Sequence, residues 1–315
     1  MQCPRLDHFV RLNFSGQLGR CGHMVDAPEF ATLQDMDQSA WLHEIKTQMQ
    51  QDIWPKECAR CKETESAGQG SIRLNAIQFD KKQKKSDYLV VGGVLDNICN
   101  SACLTCNEYL STKIGSLKSR TYPVYDNYAK FWQLPVDRVV HLDINGGEPS
   151  ASKNYKQILQ NLPAGVQSVR VNTNCSHVIE ELQVLIERGI KVTVTVSLDG
   201  IDAVHDTVRW PIKWNVFVKN LFSYKNMPNL QLNTWTTVSA LNIHDFENIV
   251  QFVNRHELAH SYAFLHTPDA INVRYKNNLT LPWQHLFPHV VAIDRNNQDQ
   301  LDEFISREKL LRGMV

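Results

Sequence analysis

The chain has 315 residues, 43% of them hydrophobic, and its 33 lysines and arginines balance its 33 aspartates and glutamates. That length allows one large domain and a small one, and the even charge gives no reason to expect nucleic acid or a membrane surface as a partner. No apolar stretch reaches the length of a membrane span, the start MQCPRLDHF has no signal-peptide pattern, and eight cysteines without such a signal point to a reducing, cytoplasmic setting and to metal binding or catalysis.

Residues 1–75 hold Cys3, Cys21, Cys58 and Cys61. Cys3 and Cys21 flank Asn13-Phe14-Ser15-Gly16, which reads as a hairpin turn bringing them together, and Cys58 and Cys61 form a C-x2-C knuckle in WPKECARC. Two such pairs closing on one centre suit zinc or an iron-sulfur cluster equally well by spacing alone. Between them Trp41, Leu42, Ile45 and Met49 repeat at helical spacing, which predicts a short helix from Ala40 to Met49. With four cysteines at hand, His8, His23 and His43 read as surface or core histidines. The polar, Gln- and Lys-rich stretch from Gly68 to Ser86 marks a boundary, with 76–86 as a linker and its lysines solvated.

From Asp87 to Pro268 the pattern alternates strand and helix, with strands expected at 88–94, 138–145, 168–173, 191–198, 230–238 and 261–266. One helix is marked by Val178, Leu182, Leu185 and Ile186 ahead of Gly189. Alternation of this kind predicts an α/β fold with a parallel sheet and crossover helices. Parallel strands are usually apolar on both faces, yet several here alternate. His141, Asp143 and Asn145 oppose Val140, Leu142 and Ile144. Arg170, Asn172 and Asn174 oppose Val169 and Val171, and Thr193, Thr195 and Ser197 oppose Val192, Val194 and Val196. Asn233, Trp235, Thr237 and Ser239 keep the same rhythm. With helices outside a barrel, the polar set lines the interior, and a polar interior calls for a polar ligand. An open sheet with one face in solvent is the other reading.

Directly after the first of these strands, DNICNSACLTCN places Cys99, Cys103 and Cys106 in a C-x3-C-x2-C array. Three thiols so close are costly in a core and reactive on a surface, so a metal is the economical explanation. Zinc wants four ligands and this run offers three. An iron-sulfur cluster held by three cysteines leaves one iron open. At later strand ends stand Asn145-Gly146-Gly147-Glu148-Pro149, Thr173-Asn174, Ser197-Leu198-Asp199-Gly200 and Val238-Ser239-Ala240-Leu241-Asn242, where a barrel places its ligands. Cys175 reads as a buried, inert thiol rather than a catalytic one. Trp283 and Phe287, followed by an amphipathic helix from Gln298 to Arg312, read as packing with no visible chemistry.

The C-x3-C-x2-C array after a first strand resembles the signature of the radical S-adenosylmethionine (radical SAM) enzymes, and Asn97-x-Cys99-Asn100 is similar to the branch that carries SPASM or twitch auxiliary-cluster domains. GGEP and SLDG resemble the family's motifs in order, and His205-Asp206-x-x-Arg209 closely resembles the SPASM/twitch pattern. Thr105 stands before the third cysteine where the family usually has an aromatic residue, and the twitch-like C-x17-C and C-x2-C pairs precede the barrel instead of following it. The resemblance implies a partial (β/α)6 TIM-like barrel over 87–268, a small N-terminal cysteine-rich, twitch-like domain over 1–75 and a helical C-terminal extension over 269–315. It implies a [4Fe-4S] cluster on Cys99, Cys103 and Cys106 whose open iron takes S-adenosylmethionine, and an auxiliary [4Fe-4S] cluster on Cys3, Cys21, Cys58 and Cys61. Gly146, Gly147 and Glu148 would hold the methionine amino group, Asn174 would sit at the cofactor's strand end, Ser197 and Asp199 would meet the ribose, Arg209 the carboxylate, and Asn242 the adenosyl group. The implied activity is an oxidoreductase that forms a 5′-deoxyadenosyl radical, abstracts hydrogen from a small polar substrate and draws electrons from a donor such as flavodoxin or ferredoxin. A peptide-modifying enzyme is the alternative within the family. A non-catalytic, zinc-stabilised binding protein is the alternative outside it.

Overall fold

The computed structural model describes residues 1–286 and 293–314, so Phe287 lies outside the described residues. The chain divides into two compact units. Unit 1 comprises Met1–Asp96, Tyr125–Gly146 and Gln157–Arg170; unit 2 comprises Asn97–Val124, Gly147–Lys156 and Val171–Val315.

In unit 1, β1 (Phe9–Leu12) and β2 (Leu18–Gly19) pair antiparallel. The turn between them closes through Asn13 N–H to Gln17 O at 2.9 Å and Gly16 N–H to Asn13 O at 3.1 Å, as the sequence predicts. The partner of this hairpin was not expected. β1 lies parallel to β3 (Leu89–Val94), with Phe9 opposite Val90 and Leu12 opposite Gly93. The physical reason is twofold. The run Phe9-Val10-Arg11-Leu12 is almost wholly buried, and Gly93 (φ +100°) leaves room for it, since a Cβ there would stand 2.2 Å from the Leu12 carbonyl oxygen. β4 (Val139–Asn145) continues the ladder parallel to β3.

The helix Ala40–Gln50 is N-capped by Ser39 and buries Leu42, Ile45 and Met49 against Leu6, as its periodicity predicts. The linker expected over 76–86 is helical in its first part. Ser71 caps the N-terminus of the helix Ile72–Asp80 through the Leu74 N–H at 3.1 Å. Its flanks, rich in Gln, Gly and Lys, hid this helix, although Ile72, Ala76 and Phe79 recur at helical spacing within it. Beyond it the lysines are exposed, as expected.

The strand β5 (Ser168–Thr173) has its first half in unit 1 and its second half in unit 2. Unit 2 adds β6 (Lys191–Ser197), β7 (Leu230–Val238) and β8 (Ala259–Phe264), paired parallel, and a small ladder of β9 (Tyr275–Lys276) with β10 (Ile293–Asn296). The strand order is β2-β1-β3-β4-β5-β6-β7-β8, a mostly parallel mixed α/β sheet. All six expected strands are present with small shifts at their ends; β8 starts earlier than expected.

The alternation also has a structural counterpart. In β4 and β6 the valines, leucine and isoleucine are buried, while His141, Asp143, Asn145, Thr193, Thr195 and Ser197 are half-buried. In β7, Thr234 and Thr236 take the buried positions and Trp235 is 39% exposed. β8, at the edge, is largely exposed along its length. The C-terminal helix Gln298–Arg312 is seated by Leu301 and Phe304 against Ala240, Leu265 and Ile271. Among the described residues no helix is long and apolar enough to cross a membrane.

Candidate functional site

The chain between Cys99 and Cys106 has no regular secondary structure, so its backbone groups must find partners elsewhere. Ser111 and Thr112, at the start of the helix Thr112–Lys118, take several. Thr112 Oγ1 accepts from Cys99 N–H at 3.1 Å, and Ser111 Oγ donates to Ser101 O at 2.6 Å. On the other side, Ala102 N–H donates to Trp210 O at 2.8 Å and Leu104 N–H to Val208 O at 2.9 Å. The two carbonyls that accept these bonds flank Arg209, so the cysteine loop and the Arg209 segment are fixed to each other.

Within the loop the Ser101 hydroxyl lies between two thiols, 3.3 Å from Cys99 Sγ and 3.5 Å from Cys103 Sγ. Burial raises the Cys99 thiol above its ordinary range, and a negative Cys103 raises it further. Cys106 is pushed up to about 12 by burial and by the charges of Cys103 and Cys99. Both shifts favour the neutral thiol, so a nearby positive charge is what would draw these groups toward the thiolate. Arg209 supplies part of that charge. Burial alone would lower its basicity, but Cys103, Asp199 and Cys99 outweigh burial and hold the guanidinium firmly protonated. One arm of Arg209 donates to Asp199 at 3.0 Å, and its Nε is buried without a protein partner.

The glycine turn at 146–147 packs on the loop backbone. Gly147 has φ +54°, and a Cβ on it would stand 2.4 Å from the Ile98 carbonyl oxygen; next to it, Glu148 N–H donates to the same oxygen at 2.7 Å. Only glycine permits this approach. Gly146, also left-handed at φ +101°, ends its segment of unit 1.

The Glu148 side chain is 1% exposed and is largely committed to the protein itself. Its Oε1 accepts from Ser150 Oγ at 2.7 Å, Ser150 N–H at 3.0 Å and Thr173 Oγ1 at 2.7 Å, while Oε2 accepts from Asn174 N–H at 2.6 Å. Asn174 in turn donates to Asn100 Oδ1 at 2.9 Å and to Ser101 Oγ at 3.1 Å. Glu148 thus ties the end of β5 to the GGEP turn, and Asn174 ties it to the cysteine loop.

Asp199 and Asn242 are likewise bonded within the protein. Asp199 accepts from Thr237 N–H at 2.8 Å and from Arg209. Asn242 donates to Asp199 O and Thr237 O at 3.0 Å each and accepts from Ser239 N–H at 2.7 Å. Both are about 1% exposed and join the ends of β6 and β7. Ser197 is half-buried, and its hydroxyl makes no hydrogen bond among the described residues. Cys175 is fully buried at φ +62°, its Sγ 3.7 Å from Phe217 O and its thiol held far above the ordinary range by burial.

The sequence reading missed Arg312. The helix Gln298–Arg312 was expected to pack without chemistry, yet Arg312 Nε donates to Ala102 O at 2.7 Å and Nη2 reaches Cys103 O at 3.5 Å. Its Nη1 bonds the buried Glu308 carboxylate at 2.6 Å. The i, i+4 spacing of Glu308 and Arg312 was legible, but it reads equally as a solvated pair.

In unit 1, Cys3, Cys21, Cys58 and Cys61 line one pocket together with His23, Trp54 and Arg73. The knuckle forms because a short 3-10 turn, Lys56–Cys58, runs directly into the helix Ala59–Ser66. Trp41 Nε1 holds Glu57 at 3.2 Å, and Arg73 pairs with Glu65 while its Nη1 donates to Gln2 O at 2.7 Å, closing the N-terminus over the knuckle. Burial, with neighbouring thiols adding to it, pushes Cys3 up to about 11 and Cys58 up to about 12, and raises Cys61. An all-thiol donor set of this kind fits a thiophilic metal centre. Among the described residues no three His, Cys, Asp or Glu side chains already converge as ligands of a single metal ion.

The sequence matches no protein-family model and no curated protein. Among solved structures it is similar to Streptococcus suis SuiB bound to S-adenosylmethionine, at 13% identity over 97% of this chain and 70% of that one, with a TM-score of 0.44. SuiB bound to the precursor peptide SuiA gives 13% identity, 98% and 70% coverage and a TM-score of 0.42. Native anSMEcpe with bound AdoMet gives 13% identity over 65% of this chain, with a TM-score of 0.43, and the present chain spans 63% of its length.

Proposed function

We propose that this chain is a radical SAM enzyme whose substrate is a polar small molecule. The observation that carries the reading is the three-thiol loop, pinned by the Glu148 and Asn174 network and flanked by a buried Arg209 with an unpartnered Nε. Cys99, Cys103 and Cys106 would hold a [4Fe-4S] cluster, which supplies the electron that cleaves S-adenosylmethionine to methionine and a 5′-deoxyadenosyl radical. The chain's own residues position and shield. The Gly146-Gly147 turn offers carbonyls to an ammonium, Arg209 offers its free Nε–H to an anion, and Ser197 offers its hydroxyl to a sugar. Cys3, Cys21, Cys58 and Cys61 would hold an auxiliary cluster, which would supply an electron acceptor and so favour net oxidation. Reducing equivalents would come from a donor of the flavodoxin or ferredoxin type.

The half-buried polar positions of β6, Thr193, Thr195 and Ser197, support a polar substrate. A peptide side chain is the second reading within the same chemistry, and deuterium transfer from labelled candidates into 5′-deoxyadenosine separates the two. Anaerobic purification tests the whole reading. A brown protein with about eight irons per chain that forms 5′-deoxyadenosine, and loses that activity in Cys103→Ala, supports it. A colourless, zinc-containing protein that leaves S-adenosylmethionine intact overturns it.

A further inference from the structure

Unit 1 contains a second cavity, of ≈260 Å³, beside the four-cysteine pocket; the two share Arg5 and Ile72 as walls. One side of the cavity is aromatic. Phe9, Phe79 and Tyr88 line it, and His8 stacks on Tyr88 with ring centroids 4.1 Å apart. The other side is polar, made by His141, Asp143 and Arg170 of β4 and β5. The volume lies just under the usual range for small-molecule sites, so it suits one ring with a short arm and not a nucleotide.

The charges on the wall do not cancel. Asp143 and Arg170 neutralise one another through two parallel bonds, of 2.9 Å and 2.5 Å. His141 bonds Ser168 Oγ at 2.7 Å, and burial disfavours its protonated form. Arg5 remains. Its guanidinium carbon lies 3.5 Å above the Phe9 ring centroid, its Nε is buried without a partner, and among the described residues it donates no side-chain hydrogen bond and forms no ion pair. A buried, unpaired guanidinium N–H is costly and calls for an acceptor.

We propose that this cavity binds a small aromatic carboxylate, its ring among Phe9, Phe79 and Tyr88 and its carboxylate on Arg5. The binding stands apart from the proposed function.

Calorimetry on the metal-loaded protein tests this with phenylacetate, with 2-phenylethylamine as a cation of the same size and with cyclohexylacetate as a non-aromatic acid. Phenylacetate should bind saturably and at least about tenfold more tightly than either control. Arg5→Gln should weaken it by a similar factor. Because Arg5 is close to Cys3, Asn75→Asp provides the independent variant: Asn75 is an exposed residue on the helix Ile72–Asp80 that also lines the cavity, so the added carboxylate should weaken binding several-fold without unfolding the protein. Absent binding of phenylacetate, equal binding of the amine, or affinity unmoved by Asn75→Asp overturns the proposal. Each of these results leaves S-adenosylmethionine cleavage by the other unit as a separate measurement, so failure here is distinguishable from failure of the radical SAM reading.

Discussion

Arg312 donates to the carbonyl of Ala102 at 2.7 Å and is itself held by Glu308 at 2.6 Å, so the last turn of the C-terminal helix is bonded to the loop that carries Cys99 and Cys103. Both side chains are about 5% exposed or less. Arg312→Ala would leave the buried Glu308 carboxylate with only the more exposed Arg307 as partner, at 3.1 Å, and the Ala102 carbonyl without its donor, which together should cost up to about 3 kcal/mol. Urea denaturation should show a loss of that size. The double variant Glu308→Leu, Arg312→Met should recover most of it, because it removes both charges together. If the loop depends on this contact, iron retention at Cys99, Cys103 and Cys106 should fall in the single variant even where the protein remains folded.

The Glu148 carboxylate makes a sharper prediction, because its four donors come from both the turn and the end of β5. Glu148→Gln keeps the shape but removes the charge and replaces one acceptor by a donor facing other donors. Bonds to charged groups contribute about 1.5–3 kcal/mol each, so a loss of roughly that size in stability is expected. The affinity for S-adenosylmethionine should fall along with it. Glu148→Asp, which keeps the charge but shortens the arm, should do better than Gln if charge governs and worse if reach does; equal, unimpaired stability in both would refute the network.

Gly147→Ala tests the close approach of the turn to Ile98. The new Cβ would meet a backbone oxygen at 2.4 Å in a left-handed conformation, and neither partner is a flexible side-chain end. Strain at such a position costs about 1–3 kcal/mol before the clash is counted. Gly189→Ala is the control: it shares a left-handed φ, but nothing lies within 4 Å of its Cβ. Gly147→Ala should lower the melting temperature more than Gly189→Ala and should weaken cofactor binding, which Gly189→Ala should not.

Much of this arrangement was legible in the sequence, for local reasons. Strands announced themselves because valines recur at every second position of 191–197, and the hairpin because Asn13 to Gly16 is turn chemistry. The cysteine triplet and the GGEP turn were legible because thiols at that spacing and paired glycines each have few other uses. What stayed hidden was long-range. Nothing near Phe9 says that it will pair with Val90, and nothing near Arg312 says that its donors will meet carbonyls at Ala102 and Cys103. The polar residues Asp199 and Asn242 illustrate a different limit. Sequence shows that a side chain can bond a ligand, but not that backbone N–H groups and carbonyls of a neighbouring strand will use it first.

His205 carries the last prediction. It is fully buried, packs on Phe217 with centroids 4.4 Å apart and on Trp214 at 5.3 Å, and neither ring nitrogen has a partner. Burial, reinforced by the positive Arg209, depresses its pKa from 6.5 to about 3. The folded state therefore holds His205 neutral, while the unfolded chain binds a proton there below 6.5. Its contribution to stability is fully present above the unfolded value and is lost as the pH falls toward the folded one. Across that window the loss is on the order of 5 kcal/mol, at about 1.36 kcal/mol per unit. His205→Phe removes both the titration and the unsatisfied ring nitrogens while keeping an aromatic ring against Phe217. It should match or exceed the parent in stability at neutral pH, and its stability should decline less steeply between pH 6.5 and pH 3. Parallel pH profiles for the two proteins would show that this histidine is not held neutral in the core.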